Sequence, residues 1–501
     1  MENVSGASND LASHVQHARV AVIGGGIAGL VSALECAKVG SRVTVFEASD
    51  RLGGTIASAR IAGADVDLTA EGFPESATAV RSLADELGLG DAVVSTRVGD
   101  TWIAGLPSGA APLPRESLVG IPQNAWDESV RRIIGWSGAW RAYVDRLRPP
   151  LTIGRERSLG RLVRSRMGER VLDRMVAPLS LGVYGIHPDE IDVDAAVPGL
   201  SAALTRTASL GAAVADLRIG MPSDPTLLSI RGGVARLIAA LEERLANLEA
   251  DVRTGERAVS ITAERGRWRV GSEKSSDTAS ERDRGPEIFD AVIVATPEAE
   301  SRRLLAPVVP RLGSGSAEST SLELVTLVLE SPELDAASPG DAERTGSRTA
   351  AFTVYPVAGT HRAAGLLALS RRHPELAQAT GGHVLRVSFG TRGERPATVG
   401  LDDAEAFALA VAEASALLGI DAGRVRLLGA TRWRAQLPRP ASAIGRAEVN
   451  AAARHAVAAV AGLGVVGAWL SGPGLAQVVL DAREEADRVR RTILWGDAAV
   501  G

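Results

Sequence analysis

The chain of 501 residues carries one cysteine, Cys36, and aromatic residues make up only 3% of it. A lone thiol excludes an intramolecular disulfide and points to a reducing compartment. Cys36 falls near Leu30 and Leu34 on the first expected helix, so it reads as a small core residue and not as a redox thiol. The seven histidines are scattered. With no His-Glu-x-x-His and no second cysteine, no metal site is expected. No Gly-x-Ser-x-Gly elbow follows a strand, which leaves a serine hydrolase without support. Nowhere does an apolar run approach the roughly 18 residues of a membrane span. The polar start lacks the apolar core of a signal peptide, and a cytoplasmic protein is expected. A net charge of -5 gives no global reason to expect a nucleic-acid partner. No internal repeat is present.

What is there describes a globular chain, with 45% hydrophobic and 23% charged residues. Its length is too great for one ordinary core, so two or three domains are expected. The most informative stretch is Arg19-Val-Ala-Val-Ile-Gly24-Gly-Gly26-Ile27-Ala28-Gly29-Leu. Val20 to Ile23 read as a buried strand, and Gly24 supplies the tight turn at its end. Gly26 lets the backbone approach a pyrophosphate. Ile27 and Ala28 open a helix whose N-terminus faces that charge, and Gly29 lets the helix pack on the strand. Glu47, followed by Ala48, ends the next strand about 20 residues on, where a carboxylate accepts hydrogen bonds from an adenosine ribose. An acid there disfavours a ribose phosphate. Arg51-Leu-Gly53-Gly54-Thr55 then turns the chain back past the pyrophosphate, and its two glycines permit a second close approach. Strand, turn, helix, strand and acid in this order read as a dinucleotide site, and the second glycine pair favours FAD over a nicotinamide.

The Glu47-x-x-x-Arg51-x-Gly53-Gly54 arrangement resembles the flavoprotein superfamily of amine oxidases, phytoene desaturases and porphyrinogen oxidases. Further segments narrow the likeness to the bacterial coproporphyrinogen III and protoporphyrinogen oxidases. They are Pro112 to Pro122, Ser158 to Gly168, Pro178-Leu179-Ser-Leu-Gly182-Val-Tyr184-Gly-Ile-His-Pro, Arg231-Gly-Gly-Val-Ala-Arg-Leu, Asp290 to Pro297 and Arg386-Val-Ser-Phe-Gly390. The resemblance implies an α/β protein with a discontinuous Rossmann-like FAD-binding domain from residues 19–75, 228–296 and 431–495. A helical domain at 76–215 is inserted, and 216–227 with 297–430 form a mixed α/β substrate domain. For FAD the resemblance adds the backbone of Val259 at the adenine edge, Ala295, Trp433, and the helix start Gly474-Leu475-Ala476. For the substrate it implies Leu179 in apolar contact with a macrocycle, Gly182 laying its backbone against it, and Tyr184 as a neighbour with a polar handle.

The implied activity is oxidation of coproporphyrinogen III to coproporphyrin III in haem b biosynthesis by the coproporphyrin-dependent route. Oxygen is the implied acceptor, hydrogen peroxide its product, and a downstream haem-pathway enzyme an implied partner. No catalytic acid or base is assigned, because aromatisation drives the reaction and positioning supplies much of the rate. Protoporphyrinogen IX is the competing substrate, and abundant arginine with few aromatics favours the more polar coproporphyrinogen. A flavin amine oxidase and a flavoprotein without catalysis are the other readings. After Trp433 the resembling proteins show a proline, a tyrosine and a Gly-His pair. Here Arg434-Ala-Gln-Leu-Pro438-Arg-Pro440-Ala-Ser-Ala443 lacks the tyrosine and the Gly-His, a departure that bears on the substrate and not on flavin binding.

Residue patterning fills in the remaining elements. Leu237, Ile238, Leu241 and Leu245 recur at helical spacing after Gly232-Gly233, and Phe289 to Ala295 reads as a buried strand. Strands are also expected at Val252 to Ile261, Leu322 to Leu329, Ala350 to Tyr355 and Val384 to Phe389. Arg141 to Arg174 holds ten arginines against four acids, Asp145, Glu156, Glu169 and Asp173. That segment reads either as a solvated basic face or as one that attracts an anionic substrate or a peripheral membrane surface. Residues 1–18 read as a disordered lead, and Ser272 to Glu287 and Ser331 to Thr349 as solvated excursions.

Overall fold

The computed structural model describes residues 18–147, 156–221, 226–274, 285–313, 319–337 and 347–495. Residues 1–17 of the expected lead and the middle of both expected excursions lie outside them. Five parallel strands stand in the order Asp251–Arg253, Arg42–Phe46, Arg19–Ile23, Ala291–Val294 and Leu463–Val465. The central three are buried almost throughout, as parallel strands covered on both faces must be. The first helix, Ile27–Ala37, is buried at every residue, which accounts for a sequence apolar but for Ser32 and the ion-paired Glu35. It packs against the C-terminal helix Leu475–Trp495 and against Arg236–Asn247, so three distant parts of the chain share one core. Cys36 lies inside that core, and burial pushes its thiol up to about 12.

A second sheet of seven strands lies apart from the first. Its order is Arg426–Pro438, Ser319–Glu330, His383–Phe389, Gly365–Ala368, Thr353–Pro356, Thr101–Leu106 and Gly109–Pro112. Only Thr353–Pro356 and Thr101–Leu106 pair in parallel. Two placements differ from the boundaries drawn on sequence. Thr101–Leu106 and Gly109–Pro112 fall in the segment expected to be helical, yet they form one edge of this sheet. Arg426–Pro438, whose greater part is expected with the nucleotide domain, pairs along its length with Ser319–Glu330. Both pairings join residues far apart in sequence, and no local period announces them.

The helical layer contains Glu128–Tyr143, Leu159–Met167 and a helical run from Glu169 to Tyr184. Ser158 caps the second of these by accepting a hydrogen bond from the Arg161 N–H at 3.2 Å. Leu159, Leu162, Val163 and Met167 face inward, as their spacing predicts. Within the third, Leu172–Val176 and Ser180–Tyr184 are π-helical, and Gly185 at φ 68° ends the run. Such widened turns occur frequently at functional sites.

Most of the described arginines between 141 and 174 are tied into this layer. Arg164 grips Asp189 with two bonds of 3.1 Å, and Arg157 reaches Asp192 at 3.0 Å and Glu448 at 2.8 Å. Arg141 and Arg174 donate to the carbonyls of Ser165 at 2.9 Å and Ile133 at 3.1 Å. Arg166 is buried against the buried Asp145. The local charge excess therefore holds helices together more than it forms a free basic face. Arg166→Ala leaves the Asp145 carboxylate buried and unpaired, and should lower stability by about 3–5 kcal/mol. Chemical denaturation checks this, with the exposed Arg161→Ala expected to stay within about 0.5 kcal/mol of the parent.

Candidate functional site

The first glycine loop is built by exclusion. Gly24 turns the chain at φ 110°, and a Cβ there would stand 2.7 Å from the Ala295 carbonyl oxygen. Gly29 is tighter still, since its Cβ would come within 1.9 Å of the Gly24 carbonyl oxygen and 3.2 Å of the Ala295 Cβ. Gly26 differs, because a Cβ on it would meet nothing nearer than the Gly54 Cα at 3.9 Å. It N-caps Ile27–Ala37 without any side-chain cap, so the first amides of the helix, from Ile27 and Ala28 onward, lack an intrahelical acceptor. Open backbone beside uncapped amides suits an anionic pyrophosphate.

A second glycine loop lies against the first. The Gly53 N–H donates to the Gly25 carbonyl at 2.9 Å, and a Cβ on Gly54 would fall 3.2 Å from the Gly26 Cα. Arg51 braces this loop from within, donating to the carbonyls of Gly54 at 2.7 Å and Leu52 at 3.1 Å. Its guanidinium stacks 4.6 Å above the Trp433 ring, which docks the loop on the seven-stranded sheet. Thr55 offers its carbonyl to the Thr69 hydroxyl at 2.5 Å. Glu47 directly follows the strand Arg42–Phe46 and is half-buried, with its carboxylate accepting from the Gly25 N–H at 2.7 Å and the Ser49 N–H at 2.8 Å. That anchoring fixes the acid at the rim of the loop.

The other expected cofactor residues are placed as follows. Ala295 packs on the turn and donates its N–H to the Ile23 carbonyl at 2.7 Å. Val259 sits on a β-bulge between the pairs Ala258–Ser272 and Ser260–Gly271, so its backbone stands outside the ladder. Its carbonyl accepts from Arg303 at 3.0 Å. Leu475 and Ala476, which follow Gly474, pack on the same apolar cluster as Ile27, Ala28 and Ile56. Trp433 presents a buried indole N–H with no acceptor, a donor that a bound cofactor can satisfy. These residues together fit FAD, with room at Gly26, amides at the helix start and an acid at the ribose position.

At the expected substrate segment, Leu179 and Tyr184 pack with Tyr355 and Val357 on the core of the helical layer. Burial raises the Tyr184 phenol above its ordinary range. Gly182 faces a tyrosine ring, because a Cβ on it would lie 2.1 Å from the Tyr355 ring. The glycine is thus explained here by the approach of Tyr355.

A family model for flavin-containing amine oxidoreductases matches residues 27–490. The chain belongs to that family. It is accordingly an oxidoreductase, and its cofactor is FAD. Coproporphyrinogen III oxidase of Mycobacterium tuberculosis is 29% identical over 469 residues, covering 91% of this chain and 93% of that one. The enzyme of the same name from Propionibacterium freudenreichii is 27% identical, with 94% and 91% covered. Among solved structures, an Exiguobacterium protein named as a protoporphyrinogen oxidase superposes with a TM-score of 0.77 at 22% identity, covering 95% of this chain and 99% of that one. Putrescine oxidase shares the fold at a TM-score of 0.61 and 16% identity, covering 95% of this chain and 98% of that one.

Sequence reasoning missed one polar cluster beside this flavoprotein's second glycine loop. Buried Arg386 donates to the carbonyls of Asp67 at 2.6 Å and Thr69 at 3.1 Å and to Glu71 at 2.9 Å. Arg372 takes the other Glu71 oxygen at 2.7 Å. The Asp67 carboxylate caps the Val234 and Ala235 amides at 2.6 and 3.2 Å, and burial raises its pKa. Only the Arg386 motif gave a signal, since its partners lie some 300 residues upstream.

The two glycines of the first loop should respond differently to a methyl group. Gly26→Ala should leave the stability of the FAD-free protein unchanged but weaken FAD binding about tenfold or more, through a clash of about 1–3 kcal/mol with the pyrophosphate. Gly29→Ala should lower the denaturation midpoint of the FAD-free protein itself. Flavin-to-protein absorbance ratios and denaturation curves of both variants check the contrast.

Proposed function

We propose that this flavoprotein converts coproporphyrinogen III to coproporphyrin III, with dioxygen as acceptor and hydrogen peroxide as product. The observation that carries the reading is the likeness to coproporphyrinogen III oxidases over 91% of the chain, which takes in the helical layer as well as the nucleotide fold. FAD, when bound, supplies an acceptor for two electrons from carbon at a time, so the six-electron oxidation to the porphyrin takes three rounds, each passing its pair to one dioxygen and releasing one peroxide. The protein's part is placement: Leu179 and Tyr184 offer an apolar wall, and the π-helical turn at Ser180–Tyr184 sets where the wall stands. Positioning of this kind supplies a large share of a barrier reduction when the product is strongly favoured.

The general surplus of arginine does not favour one porphyrinogen over another, because many guanidinium groups are engaged in structural pairs. The preference for coproporphyrinogen over protoporphyrinogen rests on the named relatives. Among the described residues no helix is long and apolar enough to cross a membrane. In this reading the protein works in the cytoplasm, in haem b formation by the coproporphyrin-dependent route, and its product passes to a later enzyme of that route.

Anaerobic mixing of the FAD-loaded protein with coproporphyrinogen III, protoporphyrinogen IX and a primary amine tests the reading. The visible flavin absorption band should bleach fastest with coproporphyrinogen III, and admitting oxygen should restore the band and release peroxide. Faster bleaching by protoporphyrinogen, bleaching by the amine alone, or no bleaching at all would each overturn it.

A further inference from the structure

The geometry points to Tyr355 and Arg372 as the part of the substrate site that holds a carboxylate side arm of the macrocycle, an inference that rests on the porphyrinogen reading above. Tyr355 belongs to Thr353–Pro356 in the seven-stranded sheet. Its ring occupies a slot cleared by two glycines from different layers. A Cβ on Gly182, in the π-helical turn, would lie 2.1 Å from the ring, and one on Gly365, in the neighbouring strand, would lie 2.9 Å away. Leu179 and Tyr184 belong to the same packed group. Tyr355 therefore stands where the seven-stranded sheet meets the segment assigned to the substrate.

The buried hydrogen-bonding groups left without a partner at this place are donors. The Tyr355 hydroxyl has no hydrogen-bond partner among the described residues. Glu71 and Arg372 lie close enough to act on it electrostatically, and burial, reinforced by the Glu71 charge, pushes the phenol up to about 12. The hydroxyl is thus a proton donor at neutral pH. Arg372 spends one amino group on Glu71 at 2.7 Å and another on the Thr353 hydroxyl at 3.3 Å, while its Nε is buried with no acceptor. The Arg386 Nε beside it is likewise buried and unmatched. Each Glu71 oxygen already accepts from one of these two arginines. The groups left unmatched are donors, the Arg372 and Arg386 Nε–H beside the Tyr355 hydroxyl, and a bound acceptor with negative charge answers them.

The cluster also reaches the cofactor loop. Arg386 binds the Thr69 carbonyl at 3.1 Å, and the Thr69 hydroxyl binds the Thr55 carbonyl at 2.5 Å, next to Gly54. A carboxylate held by Tyr355 and Arg372 would anchor the macrocycle between the glycine loop and the π-helical turn. Such an anchor discriminates a propionate from an uncharged substituent at the same position.

The test uses the FAD-loaded protein and two probes, coproporphyrin III and its tetramethyl ester, with dissociation constants measured by fluorescence quenching. Tyr355→Phe keeps the ring in its slot and removes only the hydroxyl. It should bind the free acid about tenfold more weakly, the usual effect of losing a hydrogen bond to a charged group, with FAD content and ester binding unchanged. Unchanged affinity for the acid, or an equal loss for the ester, would overturn the carboxylate assignment while leaving the porphyrinogen reading standing. Wild-type protein that bound neither porphyrin would overturn both.

Discussion

The approach of the Gly29 backbone to the Gly24 carbonyl is the constraint on which the rest of the molecule depends. No side chain fits there, since the first carbon of one would stand 1.9 Å from that oxygen. Because the helix can come so close to the turn, the amides at its start reach the end of the parallel sheet instead of standing off from it. The same closeness lets the Gly53 N–H bond to the Gly25 carbonyl, which brings the second glycine loop into place. Arg51 then carries that loop onto Trp433 in the other sheet. One steric allowance near the chain's start is thereby transmitted, contact by contact, to the seven-stranded sheet.

Arginine makes the second set of connections. Arg386 is buried yet binds two carbonyls and Glu71, so its charge is placed among acceptors and does not stand as an uncompensated ion. Burial lowers its pKa while Glu71 and Asp67 oppose that shift. The Glu298 carboxylate sits in the same way between Arg302 and Arg446 beneath Trp469. Trp469 is thus a packed part of the core, only 2% exposed. Breaking any of these pairs on one side leaves a buried charge, which is why an arginine-rich sequence here signals architecture before it signals substrate.

The legible parts of the chain were those whose physics is local. Gly24, Gly26 and Gly29 lie within six residues of one another, and their spacing carries the strand, turn and helix that the structure shows. The apolar recurrence at Leu237, Ile238, Leu241 and Leu245 announces the helix Arg236–Asn247 in the same way. What stayed hidden depends on partners distant in sequence. Thr101–Leu106 joins Thr353–Pro356 across some 250 residues, and nothing near either strand specifies the other. Tyr355 is silent for the same reason: its slot is made by Gly182 and Gly365, and only the fold brings those three together. The basic run at Arg141 to Arg174 was legible as charge but not as pairing, because Asp189, Asp192 and Glu448 lie outside it.

Two glycine loops and a helix start suit the dinucleotide part of FAD, so affinity should come from the pyrophosphate and ribose more than from the ring system. Titrating FAD-free protein with FAD, FMN and riboflavin, with ADP as competitor, measures this directly. FAD should bind far more tightly than FMN or riboflavin, and ADP should displace it. Equal affinity for FMN and FAD, with no competition from ADP, would show that the glycine loops do not hold the dinucleotide.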